Sequence, residues 1–262
     1  MGFRNNATGY PADILQSRSI IVKDNYALIT PDGLVRNRIP GFTNCEVTIL
    51  SSPKLGASFV DYLVTMLPGA KNTAGFGGDG VETFVFVLDG SVTASDGEQD
   101  FELGRHGYLF VPASRKLTLA NTAEGSSELF LYKRRYLPLE GHTPYTVCGN
   151  TDKIASYDYE GMADVQLTDL LPIDDLAFDM NFHILAFEPG ASHGYVETHV
   201  QEHGALILSG EGLYNLDNEW IPVREGDYIF MAAYCPQAGY GIGRKGAFTY
   251  LYSKDCNRDE NI

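Results

Sequence analysis

The chain is poor in several features that would mark common protein classes. It has one tryptophan and four cysteines in 262 residues. Cys45, Cys148, Cys235 and Cys256 are widely spaced, with no CxxC pair. That spacing argues against a zinc ribbon or thioredoxin-type motif and points to reduced thiols in a cytoplasmic protein. Basic residues are also few, 19 Lys and Arg against 34 Asp and Glu, for a net charge of −15. A nucleic-acid or anionic-membrane partner needs a positive footprint, which this balance does not provide. No apolar run approaches the ~18 residues of a membrane-spanning helix. The opening MGFRNNATGYPADILQSRS lacks the apolar core of a secretion signal. Met1-Gly2 suggests acylation, but Asn6 stands where that signal requires Ser or Thr.

Helical periodicity is scarce as well. Its best candidate is a short stretch around Met162–Leu171. The chain instead breaks into short β-branched and aromatic runs, such as TFVFVLDG (83–90), GYLFVPA (107–113) and ELFLYKRRY (128–136), bounded by Gly, Asp, Asn and Pro. Such runs read as strands of antiparallel barrels or sandwiches.

An internal repeat organises these runs. FVFVLDGSVTASDGEQDFELGRHGYLFVPA (84–113) resembles GALILSGEGLYNLDNEWIPVREGDYIFMAA (204–233). Gly90 matches Gly210, Gly107 matches Gly226, and Leu131-Tyr132 matches Leu251-Tyr252, at offsets of 120, 119 and 120 residues. Two copies of one β-barrel follow. The expected layout is an N-terminal arm (1–40) with one strand over 19–31, a first barrel (41–145), a linker (146–159) and a second barrel (160–262). The arm strand could cover an edge of either sheet.

Four of the six histidines, His183, His193, His199 and His203, fall within 21 residues around ETHVQEH (197–203). Strand residues i and i+2 share a face, so Glu197 and His199 project together. His203 enters from the start of the next strand, after a turn at Val200–Glu202. His183 reads as structural, and His193 as a loop residue or a donor to a ligand. His106 and His142 lie in turns. In the first repeat the same stretch is AGFGGDGVETF (74–84), with Thr83 at the His203 position. That half is expected to be metal-free.

Pro-Gly follows a strand in both halves, at Leu67-Pro68-Gly69 and Glu188-Pro189-Gly190, and the second half continues through the histidine cluster to GDYIFMAA. In these features the chain resembles the cupin family. The resemblance implies an all-β bicupin, two tandem antiparallel jelly-roll-like barrels with few short helices. Cupins typically ligate through two His one residue apart, then a Glu, then a Gly seven residues on. Here Glu197 replaces the first His, His199 keeps the second, and His203 stands at the Glu position, seven before Gly210. Gln237, after Pro236, falls where a fourth ligand belongs. A mixed oxygen–nitrogen set without thiolate suits Mn²⁺ or Fe²⁺ better than structural Zn²⁺. A dication held by one carboxylate keeps about one net positive charge, which favours an anionic small-molecule substrate.

Period two also places Tyr250, Tyr252 and Lys254 on one face, either inward beside the metal or toward solvent. An inward Lys254 would require an anionic partner. Tyr214 is a further inward candidate.

The segments ASHGYVETHVQEHG, GEGLYNLDNEW, PQAGYGIGR, LYSKDCNRD, ITPDGLVRNRIPGF and LYKRRY resemble the bacterial (S)-ureidoglycine aminohydrolase family along the whole chain. The resemblance implies a cytoplasmic manganese enzyme of allantoin degradation that converts (S)-ureidoglycine to (S)-ureidoglycolate and ammonia. It implies one Mn²⁺ per chain on Glu197, His199, His203 and Gln237. It also implies substrate contacts through Glu197, Tyr214, Tyr250 and Lys254, with Tyr250, Lys254 and Glu197 in the chemistry. Bicupins often associate, so a homo-oligomer is expected. Two alternatives stand beside it: another metal-cupin enzyme such as an iron dioxygenase, and a non-enzymatic binding or storage bicupin.

Overall fold

The computed structural model describes residues 17–255 and 258–259. The acylation-like N-terminus and Cys256 lie outside them. Cys45, Cys148 and Cys235 are free thiols. No α-helix occurs among the described residues; two short 3-10 turns, Pro31–Gly33 and Thr151–Lys153, are the helical segments there.

The strands are β1 (Ile20–Val22), β2 (Tyr26–Ile29), β3 (Phe42–Ser51), β4 (Phe59–Phe76), β5 (Val81–Asp89), β6 (Ser91–Ser95) and β7 (Asp100–Gly104). Next come β8 (Gly107–Val111), β9 (Leu117–Ala120), β10 (Ser127–Arg135), β11 (Val147–Asn150), β12 (Tyr157–Tyr159) and β13 (Met162–Asp169). The last are β14 (Met180–Phe187), β15 (His203–Ser209), β16 (Glu211–Leu216), β17 (Glu219–Arg224), β18 (Tyr228–Met231), β19 (Gln237–Gly241) and β20 (Phe248–Asp255). They form two compact units. One takes the described residues up to Leu34, Leu55–Ala57 and those from Ala155 on; the other takes Val35–Lys54 and Ser58–Ile154.

In the N-terminal unit the strand order is β11-β8-β5-β10-β4-β9-β6-β7, with β3 beside β4. β4 serves both halves of that barrel. Its first part pairs with β10, and its end pairs with β9. It turns at Pro68-Gly69, where Gly69 has φ +74°, a conformation glycine adopts without strain. The alternate residues Val85, Val87, Leu109, Val111, Leu129 and Leu131 fill the interior.

The C-terminal unit has one sheet ordered β1-β2-β18-β15-β20-β14-β13-β12 and a second ordered β17-β16-β19. Its core includes Val165, Leu185, Phe187, Ile207, Leu216 and Ile229.

Four local expectations are corrected. The stretch 162–169 is strand β13, because its backbone pairs with β12 and β14, and that pairing outweighs its weak helical period. The arm carries two strands, not one, joined at a turn where Asp24 takes φ +61°. The 146–159 stretch is not bare linker: β11 pairs with β8, and β12 with β13. Finally, the match of Leu131-Tyr132 to Leu251-Tyr252 is one residue out. Val85 pairs with Leu131, whereas its counterpart Ala205 pairs with Tyr252. A one-residue slip exchanges the two faces of a strand, so Leu131 and Tyr252 are the matching inward residues.

The arm covers the β18 edge of this sheet, one strand away from β15. β2 pairs with β18, and β18 with β15. Arg18 anchors it: its Nη2 donates to both Asp227 carboxylate oxygens, at 2.8 and 3.1 Å. Asp227 is fully buried and also accepts the Arg224 backbone N–H at 3.0 Å. Arg18→Ala would leave this carboxylate short of its charged partner. Because Arg18 is partly exposed, the expected loss is about 1–2 kcal/mol. Thermal melting should show a fall of roughly 2–6 °C. An unchanged melting temperature would show that the arm is not anchored through this pair.

Candidate metal centre and substrate pocket

After β14 the chain turns at Pro189-Gly190, where Gly190 has φ +91°. It then runs back as an extended segment held by isolated bridges, Ser192 to Tyr240 and Glu197 to Gln237, rather than as a continuous strand. The Glu197 and Gln237 backbones exchange both hydrogen bonds at 2.9 Å, and the Tyr234 N–H donates to the His199 carbonyl at 2.7 Å. Thus the segment carrying Glu197 and His199 and the start of β19 face each other.

His203 opens β15. Its Nδ1 lies 2.8 Å from the Ser253 carbonyl oxygen, and His199 Nδ1 lies 3.0 Å from that of Gln201. A carbonyl only accepts, so Nδ1 carries the proton in each neutral ring and Nε2 keeps a lone pair. The two Nε2 atoms face each other 3.4 Å apart. Burial pushes the pKa of both rings down; the His199 charge adds to this for His203, and the Lys254 charge for His199. Both are therefore neutral near pH 7, the form that ligates metals. Gln237 is buried, with its amide nitrogen 3.0 Å from His199 Nε2. A half-turn of that amide would present Oε1 instead.

Glu197, His199, His203 and Gln237 line one cavity. Tyr214, Tyr250 and Lys254 line the same cavity. Among the described residues, no three His, Cys, Asp or Glu groups converge as a metal cluster. Tyr159 shares this wall, and its hydroxyl favours the ionised Glu197 carboxylate. The set nonetheless fits a divalent cation chemically: two neutral imidazoles with facing lone pairs, and a carboxylate and an amide on the same wall.

The inward reading of β20 holds. Tyr250 is buried, and Tyr252 and Lys254 face the cavity beside it. Tyr214 and Tyr250 share a hydrogen bond, and their rings meet edge-to-face at 5.8 Å. Burial raises both phenol pKa values, so both hydroxyls stay protonated at neutral pH. The Lys254 ammonium has no carboxylate within 4 Å among the described residues. Its charge still acts on Glu197, whose pKa burial raises and Lys254 and the Tyr159 hydroxyl lower.

Tyr159, Leu185 and Met231 also line the cavity, and sequence reasoning missed them. Met231 pairs with His203 across the ladder, and Leu185 with Tyr250, so strand pairing could have found them. Tyr159 lies in the stretch read as linker.

His183 is buried, with Nδ1 2.7 Å from Asp169 Oδ1, and it stacks on Tyr252 at 5.1 Å. It backs the cavity wall. His193 lies in a loop, as expected, but is buried against Phe187 and Tyr159, at ring distances of 4.9 and 5.7 Å. Its Nδ1 accepts the Gly239 N–H at 2.7 Å, which braces β19 two residues from Gln237.

A cupin-domain family model matches residues 183–245. A crystal structure of the Escherichia coli protein Ylba matches 97% of this chain and all of its own, with 56% identity and a TM-score of 0.85. The (S)-ureidoglycine aminohydrolase of Escherichia coli K12 is 60% identical over 262 residues, all of both chains. That of Arabidopsis thaliana is 34% identical over 244 residues, covering 93% of this chain and 79% of its own. The chain belongs to the (S)-ureidoglycine aminohydrolase family. Its two sheet systems are the bicupin architecture of that family. No helix among the described residues is long and apolar enough to cross a membrane.

The buried His193 makes this family member acid-sensitive. Burial holds its pKa down at about 4, against a smaller opposing effect of Glu160. Its folded pKa lies below the ~6.5 of an unfolded histidine. Its contribution is thus fully present above that value and lost as pH falls from ~6.5 toward 4. His193→Asn keeps an acceptor for Gly239 but cannot titrate. Denaturant titrations should show a pH slope smaller by about one proton in this window, roughly 1.4 kcal/mol per pH unit. Identical slopes would exclude His193 as the source.

Proposed function

We propose that this chain is a manganese-dependent aminohydrolase that releases ammonia from (S)-ureidoglycine and yields (S)-ureidoglycolate, in the degradation of allantoin. The observation that carries this reading is the 60% identity to the Escherichia coli enzyme across the full length of both chains. The cavity supports it with an ammonium, two tyrosines and a mixed oxygen–nitrogen donor set on one wall.

Glu197, His199, His203 and Gln237 would hold the cation. When bound, it contributes Lewis acidity and a fixed point that orients the substrate. Thr83 occupies the His203 position in the N-terminal barrel, which we read as metal-free.

The substrate carries a carboxylate, an amine and a ureido group on one carbon. Lys254 pairs with the carboxylate, because its half-buried ammonium needs an anion in hydrogen-bonding range. Tyr214 donates to the ureido carbonyl. Tyr250 is a buried phenol with a raised pKa. Such a group passes on a proton most readily when it receives one in return, so Tyr250 suits a relay that protonates the departing amine. Glu197 faces the reacting carbon from the ligand side. In the net reaction water contributes the hydroxyl and one hydrogen, the C–N bond breaks, and ammonia leaves.

Generating (S)-ureidoglycine in situ with allantoate amidohydrolase, and following it by NMR, tests the assignment. Mn²⁺-loaded protein should accelerate ammonia release and give one enantiomer of ureidoglycolate; failure on both counts would reject it. Lys254→Met should bind metal normally yet lose about 100-fold or more in kcat/KM, as expected for removal of a charge-assisted contact. Full turnover by Lys254→Met would overturn the role given to this residue. His203→Ala should reduce metal content, measured by elemental analysis, from one per chain to near zero.

A further inference from the structure

Glu197 has a protein partner inside the cavity that the donor set alone does not account for. Tyr159 closes β12, where a register shift after Asp158 lets it pair with Met162. Between them Glu160 and Gly161 take φ +48° and +80°, the left-handed pair that a tight two-residue hairpin turn requires. This tip carries the Tyr159 ring onto the cavity wall that Glu197 also lines, where its hydroxyl favours the ionised Glu197 carboxylate. The ring also meets His193 edge-to-face at 5.7 Å. A hydrogen bond fastens the tip: the Tyr195 hydroxyl donates to Glu160 Oε2. Tyr195 lies two residues before Glu197, so the hairpin tip is tied to the segment that carries Glu197.

We propose that Tyr159 is a positioning residue for the reaction, its hydroxyl fixing the rotation of the Glu197 carboxylate so that the remaining lone pairs address the cation and the substrate. This rests on the metal-dependent reading above. A carboxylate offers two oxygens and about four lone-pair directions, and a donor on one oxygen removes the freedom to rotate. Partners that orient a metal ligand in this way typically change affinity or activity by about 10–100-fold. Burial of Glu197 opposes its ionised form, and the Tyr159 hydroxyl and the Lys254 charge favour it.

Tyr159→Phe separates this role from packing, because it keeps the ring against His193 and removes only the hydroxyl. The full-length variant and wild type would be compared by Mn²⁺ titration calorimetry, by the electron paramagnetic resonance line shape of bound Mn²⁺, by steady-state kinetics and by melting. The expected result is a Mn²⁺ dissociation constant raised about 10-fold, an altered line shape and a kcat reduced more than KM is raised. The melting temperature of the metal-free protein should stay within about 2 °C. Wild-type metal affinity, line shape and turnover in Tyr159→Phe would overturn the proposal. A lowered melting temperature with unchanged metal affinity would also overturn it, assigning Tyr159 to packing. Wild-type protein that binds no Mn²⁺ or leaves (S)-ureidoglycine intact would instead defeat the functional reading itself.

Discussion

A backbone carbonyl can only accept a hydrogen bond, so it decides which nitrogen of a nearby histidine keeps its lone pair. That constraint organises the C-terminal barrel. The Ser253 carbonyl holds the Nδ1 proton of His203, and the Gln201 carbonyl holds that of His199. Ser253 also receives the Gly204 N–H on its hydroxyl at 3.2 Å. The residue between Tyr252 and Lys254 therefore fixes the entrance of β15. One strand, β20, lines the cavity with alternate side chains and sets the ring orientation of His203 through its backbone. A shift of β20 by one residue would turn Tyr250, Tyr252 and Lys254 outward and move the carbonyl that orients His203.

The comparison of the two barrels shows what makes one hollow. Their strands pair alike, and Val85, Val111, Leu129 and Leu131 correspond to Ala205, Met231, Tyr250 and Tyr252. In the N-terminal barrel these positions are apolar and packed together. In the C-terminal barrel Ala205 removes volume, and two phenols add polar groups that need partners. Lys133 matches Lys254, but its ammonium lies over the rings of Tyr62 and Phe76, at 5.6 and 5.3 Å. Aromatic faces satisfy a cation without an anion. Among the described residues no aromatic face lies over the Lys254 ammonium, and its cavity carries polar groups on several sides.

Much of the site was legible in the sequence because strand geometry is simple. The alternation in Tyr250-Leu-Tyr252-Ser-Lys254 translates directly into a shared face of β20, whereas Glu197 and His199 lie on an extended segment outside any continuous strand and reach the same cavity as His203. The cupin resemblance, through the motif proline Pro236, pointed to Gln237, which lies on the same cavity wall. What escaped depended on pairing that no local pattern encodes. Leu-Tyr matches Leu-Tyr by identity, yet the ladders align Leu131 with Tyr252. Tyr159 reaches Glu197 across 38 positions of sequence through a turn whose Glu160 takes a left-handed conformation without being glycine. His193 is a loop residue, as read, but nothing near it in sequence announces its burial against Phe187 or its bond to Gly239.

Charge imposes a further condition on recognition. With a net charge of −15 the chain repels an anion at long range. Screening confines that repulsion to about 8 Å at physiological ionic strength. An anionic substrate is therefore not steered in by the global field, and its attraction must come from groups it meets inside the cavity. Lys254 is the cationic side chain on that wall, and the imidazoles beside it are held neutral, so they add no competing positive charge. Burial strengthens the Lys254 interaction because water no longer screens it fully. In the proposed function the neutrality of His199 and His203 serves two ends: it leaves lone pairs for a cation, and it concentrates the anion-binding charge of the side chains on one residue.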